Sequence, residues 1–369
     1  MTSGQVEIQL IAVVVAVACA LPGTFLVLRR LALVSDAISH SILLGIVLGF
    51  FVVGNVNSPV LLLGAALVGL ATVVLVQVLE RTGLVKEDAA IGLVFPALFS
   101  AGVILISRYA EGVHLDIDAV LLGELAFAPF DRLELWGWDW GPIALTVMGA
   151  ILLLNVGVIA LFWKELKLST FDPALAIALG FTPALVQYAL MGLVSLTAVG
   201  AFDAVGSILV VALMIAPPAA AYLLTDSLPR LLVLAAAIGA ACALAGYWLA
   251  YLLDASIAGA MATMTGVAFA LAWLFAPGRG LVAAARRRAR QKLEFAQTML
   301  AIHLANHEGK PEAEVESRVD HLHAHLRWAP DFAQRIVRIA ERRGLVLAKG
   351  QRLELTQAGR ELAADALAR

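Results

Sequence analysis

Two short stretches of this chain carry residues that could do chemistry. Asp36-Ala37-Ile38-Ser39-His40 sets a carboxylate and an imidazole four residues apart, a spacing that puts both on one face of a helix. One oxygen and one nitrogen donor suit Mn²⁺, Fe²⁺ or Zn²⁺; with no thiolate or thioether alongside, Cu⁺ is disfavoured. The other reading of the pair is a buried contact that staples two helices. The second stretch runs from Asp172-Pro173 through Ala176 to Leu179-Gly180. Asp is a good N-cap, Pro is favoured at the first helical position and Gly suits the position after the last. These residues bound a separate apolar helix of about seven residues, roughly 10 Å long, too short to cross a membrane. Such a helix needs a surface to rest on, either a groove in a soluble subunit or the lipid headgroups.

Weaker candidates lie elsewhere. His114, Asp116 and Asp118 alternate in one polar loop; they either pass a metal ion inward or keep the loop solvated. Asp203 falls in a turn between apolar runs, and Asn155, alone in an apolar run, is expected to hydrogen-bond between helices. Pro217-Pro218 is expected to kink or break its helix. His303 and His307 are spaced to chelate. His321, His323 and His325 would fan over about 200° of a continuous helix, so these histidines are expected to form a solvated surface. Cys19 and Cys242 sit in apolar runs as small hydrophobes. No phosphate loop, serine-hydrolase elbow or H-E-x-x-H motif occurs. The chain is therefore expected to be no enzyme and to hold no permanent cofactor, and any ATP that drives it must bind another chain.

The elements that must position these residues follow from composition. The 369 residues are 61% hydrophobic and only 15% charged, with a mean hydropathy of +0.90; an ordinary soluble domain is about 45–50% apolar and about 25% charged. Apolar runs cover 6–28, 32–54, 59–79, 89–107, 141–163, 183–200, 204–224, 228–252 and 255–276, each near the ~20 residues that span a bilayer. The expectation is an all-α polytopic membrane protein with nine crossings, or eight if one run is re-entrant. No basic flank precedes the first run, so no cleaved signal peptide is expected. Arg29 and Arg30, Arg81 and Lys86, Lys164 and Lys167, Arg230, and Arg279 with Arg286, Arg287, Arg288 and Arg290 mark alternate loops. By the positive-inside rule these loops are cytoplasmic, as is the C-terminus, and Trp136, Trp138 and Trp140 form an outer interfacial belt. His40, ten residues past Arg30, then lies about 15 Å into the bilayer, near its midplane. Ionisable groups at that depth normally face a cavity or pathway.

Several of these stretches, taken in order, resemble the ABC-3 family of transporter permeases for manganese, zinc and iron. Leu31 to Leu48 resembles its D-A-[LIV]-S-H block, with Ser35 where many relatives have Gly. Val113 to Glu124 resembles its outer-loop block, and Phe171 to Gly180 its coupling helix. Leu209 to Ala220, followed by Leu224-Thr225-Asp226, resembles its late-crossing motif. The resemblance implies a homo- or heterodimeric permease in the bacterial inner membrane. An extracytoplasmic metal-binding lipoprotein would feed it and a cytoplasmic ATP-binding subunit would drive it. Asp36 and His40 become the pathway ligands and manganese the favoured cargo. An ATP-independent secondary transporter or channel for divalent ions is the alternative.

Beyond the last run the composition changes. Residues 286–369 hold 16 Lys+Arg against 11 Asp+Glu, a net of +5, whereas the remainder holds 10 against 17, a net of −7. The expected organisation is a transmembrane permease domain over 1–280, a basic stretch over 281–292 that is either a flexible linker or a stripe lying on anionic headgroups, and a small cytoplasmic domain over 293–369. Helical patterns at 292–308, 312–327 and 331–343, a hairpin turning at Lys349-Gly350 and a last helix capped by Thr356 describe a winged helix-turn-helix. The pattern resembles the DNA-binding domain of metal-dependent repressors. On a membrane permease it is expected to act as a protein-contact or regulatory module, and DNA is not expected among its partners.

Overall fold

The computed structural model describes residues 3–54, 58–109, 125–135 and 138–368. It divides between Arg279 and Gly280 into two compact units. The N-terminal unit is built on α1 (Ser3–Leu28), α2 (Ala32–Val53), α3 (Pro59–Arg81), α4 (Glu87–Tyr109) and α5 (Ile143–Leu161). These are followed by the short α6 (Trp163–Phe171) and α7 (Pro173–Ala178), then α8 (Pro183–Leu224), α9 (Leu228–Leu253) and α10 (Ile257–Phe275). Among the described residues eight helices are long and apolar enough to cross a membrane.

One of the eight is two arms in sequence. The 42 residues of α8 are interrupted at Gly206, whose φ of 78° and ψ of 163° are not helical. A straight helix of that length would measure about 63 Å, twice the hydrocarbon core. Yet Gln187, near its start, lines a cleft with Leu28 and Arg29 at the end of α1, and Ala221, near its end, packs with Ala20 of the same helix. The chain therefore doubles back at Gly206, and α8 supplies two arms. The expected break at Pro217-Pro218 does not occur: both prolines lie inside the second arm. Each removes the donor for the carbonyl four residues back. The Met214 carbonyl freed in this way lies against Gly23 of α1, which has no Cβ to collide with it.

α1 and α8 are the most buried helices, and α1 packs against α5, α8 and α9. Asn155 of α5 does bond between helices: its Nδ2 donates to the Ala18 carbonyl at 2.9 Å and to Thr197 Oγ1 of α8 at 3.1 Å. Before α5 the chain forms an antiparallel hairpin, β1 (Arg132–Leu135) with β2 (Trp138–Pro142). Arg132 pairs with Asp139 across it at 2.6 Å and with Glu7 of α1 at 3.4 Å. The expectation of an all-α fold is corrected here, since residues confined to a polar loop between crossings can satisfy their backbone in a ladder instead.

The C-terminal unit contains α11 (Leu281–His307), α12 (Ala313–Glu316), α13 (Leu322–Leu326), α14 (Pro330–Arg342), the hairpin β3 (Val346–Lys349) and β4 (Arg352–Leu355), and α15 (Gln357–Ala368). The stretch expected to be a linker, 281–292, is the first part of α11. Gly278 and Gly280 precede the helix, and the Ala, Arg, Leu and Gln that follow are strong helix formers. The helix expected over 312–327 is broken into α12 and α13. Between them Ser317 and Val319 bond the β3–β4 hairpin through Leu353 N–H to the Ser317 carbonyl and Val319 N–H to the Gln351 carbonyl. Ala333, Ile336, Val337 and Ala340 give α14 one buried stripe at helical spacing. It closes on Leu300 and Leu304 of α11, Leu322, Val346, Leu353 and Leu355. Lys349 pairs with Arg352, so the turn is Gly350-Gln351, one residue later than expected, with Gly350 at φ 67°. Thr356 Oγ1 accepts the Gly359 N–H and caps α15.

Candidate functional site

Asp36 and His40 lie one turn apart on α2. Asp36 Oδ1 is 3.4 Å from His40 Nε2, and the two side chains are 42% and 32% exposed. Two donors on one divalent ion of bond length about 2.1 Å stand about 3.0–3.5 Å apart, so the pair already has the spacing of ligands sharing a metal. Phe95 and Phe99 of α4 flank the imidazole, with ring centroids at 5.6 and 6.3 Å. The remaining polar groups of this stretch are satisfied: Ser35 Oγ donates to the Ala32 carbonyl, Ser39 Oγ to the Ser35 carbonyl, and Thr72 Oγ1 of α3 to Ser41 Oγ at 2.7 Å. The Asp–His pair is thus the ionisable feature of α2, each side chain facing the other. Both residues are only half-buried.

The helix is held in place by close backbone contact. A Cβ added at Gly45 would lie 2.5 Å from both Ala65 Cα and the Gly64 carbonyl of α3, and one at Gly49 would lie 3.0 Å from Leu61 Cα. On the other side, a Cβ at Gly102 of α4 would lie 3.0 Å from Leu44 N. Gly45-Ile46-Val47-Leu48-Gly49 is a small-xxx-small contact motif. It is written in the sequence but says nothing about chemistry, which is why residue-type reasoning passes over it.

The second stretch forms α7, six residues long. Asp172 Oδ1 accepts the Leu175 N–H at 3.0 Å, Pro173 opens the helix, and Gly180 after it has φ 85°. Ala176, expected to seat in a partner's groove, is fully buried; the Phe181 N–H bonds its carbonyl and folds the chain back over it. The outward residues are Phe171, Leu175, Ile177 and Leu179, at 45–64% exposure. The preceding α6 replaces an expected loop. Arg29, at the end of α1, donates to Ser169 Oγ at 2.8 Å and Thr170 Oγ1 at 3.1 Å in it, so α7 is tied to the end of α1. Beside it opens a polar cleft of about 640 Å³ lined by Arg29, Arg30, Gln77, Glu80, Arg81 and Gln187.

His114, Asp116 and Asp118 lie outside the described residues, as does Trp136. Asp203 is not in a turn but three residues before the break in α8. Sequence reasoning singled out His303 and His307 as a chelating pair but expected a solvated histidine surface and passed over Glu316. In the C-terminal unit His303, His307, His321 and His325 converge on Glu316.

Residues 6–276 match the ABC 3 transport family. The zinc transport system membrane protein TroD of Treponema pallidum is 53% identical over 357 residues, 97% of this chain and 97% of that protein, so the likeness continues through the C-terminal unit. The manganese transport system membrane protein MntD of Bacillus subtilis is 51% identical over 270 residues, 73% of this chain and 91% of that one. Among solved structures, PsaBC from Streptococcus pneumoniae in complex with Fab superposes with a TM-score of 0.64 at 26% identity, covering 76% of this chain and 94% of that chain.

Proposed function

The chain belongs to the ABC 3 transport family and is a multi-pass membrane permease subunit of an ABC importer for metal ions, and we propose that Asp36 and His40 carry the ion through it. The ATP-independent transporter or channel does not survive this membership. The observation that supports the ligand assignment is the 3.4 Å pair on α2, half-open on a helix whose serines are buried and hydrogen-bonded. A charged group facing lipid at that depth costs at least ~2.5 kcal/mol, so an exposed pair there belongs on a polar path. Carboxylate and imidazole accept manganese, zinc and iron alike. The cargo is a divalent first-row ion, with zinc and manganese both favoured by the names of the relatives.

The remaining assignments rest on the same family. The metal arrives from an extracytoplasmic binding lipoprotein. ATP is hydrolysed by a separate cytoplasmic subunit that grips α7 through Leu175, Ile177 and Leu179. A second permease chain, the same or a related one, completes the path. The basic loops and the C-terminal unit lie in the cytoplasm. That unit is a winged helix-turn-helix whose β3–β4 hairpin is the wing, and it serves protein contact or regulation, with DNA no part of its role.

The test is metal uptake into vesicles holding the permease and its ATPase. Asp36→Ala and His40→Ala should each reduce uptake of Mn²⁺ and Zn²⁺ to background at normal levels of inserted protein. Competition between the two ions in the wild type identifies the preferred cargo. Wild-type uptake in both variants would overturn the ligand assignment.

A further inference from the structure

The C-terminal unit contains a cluster that the transport path does not use. Glu316, the last residue of α12, is 8% exposed, and its Oε2 accepts no hydrogen bond. A carboxylate taken out of water without a donor is costly, so its surroundings are informative. His325 Nε2 lies 3.2 Å from Oε1, His321 Nδ1 3.5 Å from Oε2, and His303 Nε2 3.7 Å from Oε2. The last two separations are long for hydrogen bonds. Donors around one tetrahedral ion with bonds of about 2.0–2.1 Å stand about 3.3–3.4 Å apart, so all three values bracket the spacing a metal imposes. His307, one turn along α11 from His303 with ring centroids 4.9 Å apart, has a buried Nδ1 that makes no hydrogen bond and lies 4.0 Å from Glu312 Oε2; the His321 Nδ1 makes no hydrogen bond either.

The donors fall into two overlapping sets, His303 with His307 and Glu316, and Glu316 with His321 and His325. Glu316 is common to both. His303 Nε2 is also 3.1 Å from the Glu316 carbonyl oxygen, which fixes its ring against α12.

We propose that the C-terminal unit binds divalent transition-metal ions of the Zn²⁺ or Co²⁺ type at Glu316, in one or both of the two three-donor sets that share it, with His321 and His325 or with His303 and His307. Imidazole and carboxylate donors without sulfur define that class. The ligands come from α11, α12 and the start of α13, with the chain between them spanning 308–326. Binding therefore cross-links the part of the unit that has the least regular structure, and occupancy should stiffen it. The site stands on these side chains alone and does not depend on the transport path.

The experiment uses the full chain in detergent, carrying Asp36→Ala and His40→Ala to silence the membrane pair, stripped with a chelator and dialysed. Calorimetric titration with Zn²⁺ should give one or two equivalents bound per chain, with proton release and weaker binding below about pH 6. Co²⁺ should develop the visible absorption of a tetrahedral nitrogen–oxygen site. Loss of a mere supporting residue costs 10–100-fold in metal affinity, so Glu316→Gln and His325→Ala should each weaken binding by about a hundredfold or more. The His325 side chain is 48% exposed, so that variant keeps the fold if Glu316→Gln does not. Absence of metal binding by the silenced chain would overturn the site. So would unchanged affinity in a folded His325→Ala together with a folded Glu316→Gln.

Discussion

Gly45→Ala should damage transport without touching a ligand. The added methyl would sit 2.5 Å from the backbone of α3 at both Ala65 and Gly64, against an ordinary carbon contact of about 3.5 Å. Helix α3 must therefore retreat by about 1 Å. Helix α2 cannot yield instead, because Gly102 of α4 presses on Leu44 from the other side. Overpacking of this kind costs about 1–3 kcal/mol, and alanine recovers about 0.5–1 kcal/mol over glycine within a helix. The net cost is about 0–2.5 kcal/mol, and its middle corresponds to roughly a tenfold loss of the competent packing. His40 lies five residues away, about 7.5 Å along the helix, so the disturbance reaches the ligand pair. The comparison is Gly157→Ala in α5, where a Cβ meets nothing within 4 Å. Vesicle uptake should fall about tenfold in Gly45→Ala, with a lower melting temperature in detergent, while Gly157→Ala transports normally and melts no earlier. Equal uptake and equal melting in the two variants would refute the claim that the glycine contacts hold the site.

Leu175→Glu and Ile177→Glu should uncouple ATP hydrolysis from uptake while leaving the permease folded, whereas Ala176→Glu should unfold the segment because that side chain is buried; coupling ratios and expression distinguish the two. Asn155→Ala removes bonds to Ala18 and Thr197 and should lower stability by about 0.6–1.7 kcal/mol, measured by thermal unfolding in detergent. Asp139 is held below the usual carboxylate range, first by the Gly141 N–H and then by Arg132. Its contribution is fully present above about pH 4 and is lost as pH falls through its lowered pKa. The protection factors of residues 132–135 and 138–141 against hydrogen exchange, corrected for the intrinsic rate at each pH, should fall on acidification in the wild type and already be low at neutral pH in Asp139→Asn.

What the sequence reveals depends on how local the signal is. The caps of α7 are local, and Asp172, Pro173 and Gly180 stand where their propensities put them. Which side of that helix faces outward is not local: Ala176 turns inward because the Phe181 N–H bonds its carbonyl. The doubling of α8 is foreshadowed by the polar Asp203 between two apolar runs, but the break falls at Gly206, where a positive φ is available. The histidines of the tail show the limit most clearly. A continuous helix over 312–327 would scatter 321, 323 and 325, and the argument against a shared ion assumes that helix. The chain instead breaks after Glu316, and His321 and His325, four apart, share one face toward it. Nothing in the sequence marks Glu316 among its acidic neighbours until α11 packs over it.

The Asp36–His40 pair also constrains what a single chain can do. It supplies one oxygen and one nitrogen, whereas the ions in question take four ligands or more. Among the described residues no third donor joins the pair, so further donors would come from water, from the stretch 110–124 or from another polypeptide. Water alone would leave the ion nearly hydrated and the pair weakly selective. A second permease chain meeting the first at this exposed face of α2 would double the set to two carboxylates and two imidazoles. That is enough to strip most of the hydration shell, and parting the two helices would halve the site and release the ion. On this proposal the 42% and 32% exposure of the two side chains is the open half of a shared site. ATP-driven movement of α7, tied through α6 to the end of α1 by Arg29 and three residues of chain from the start of α2, has a short mechanical route to the ligands it must separate.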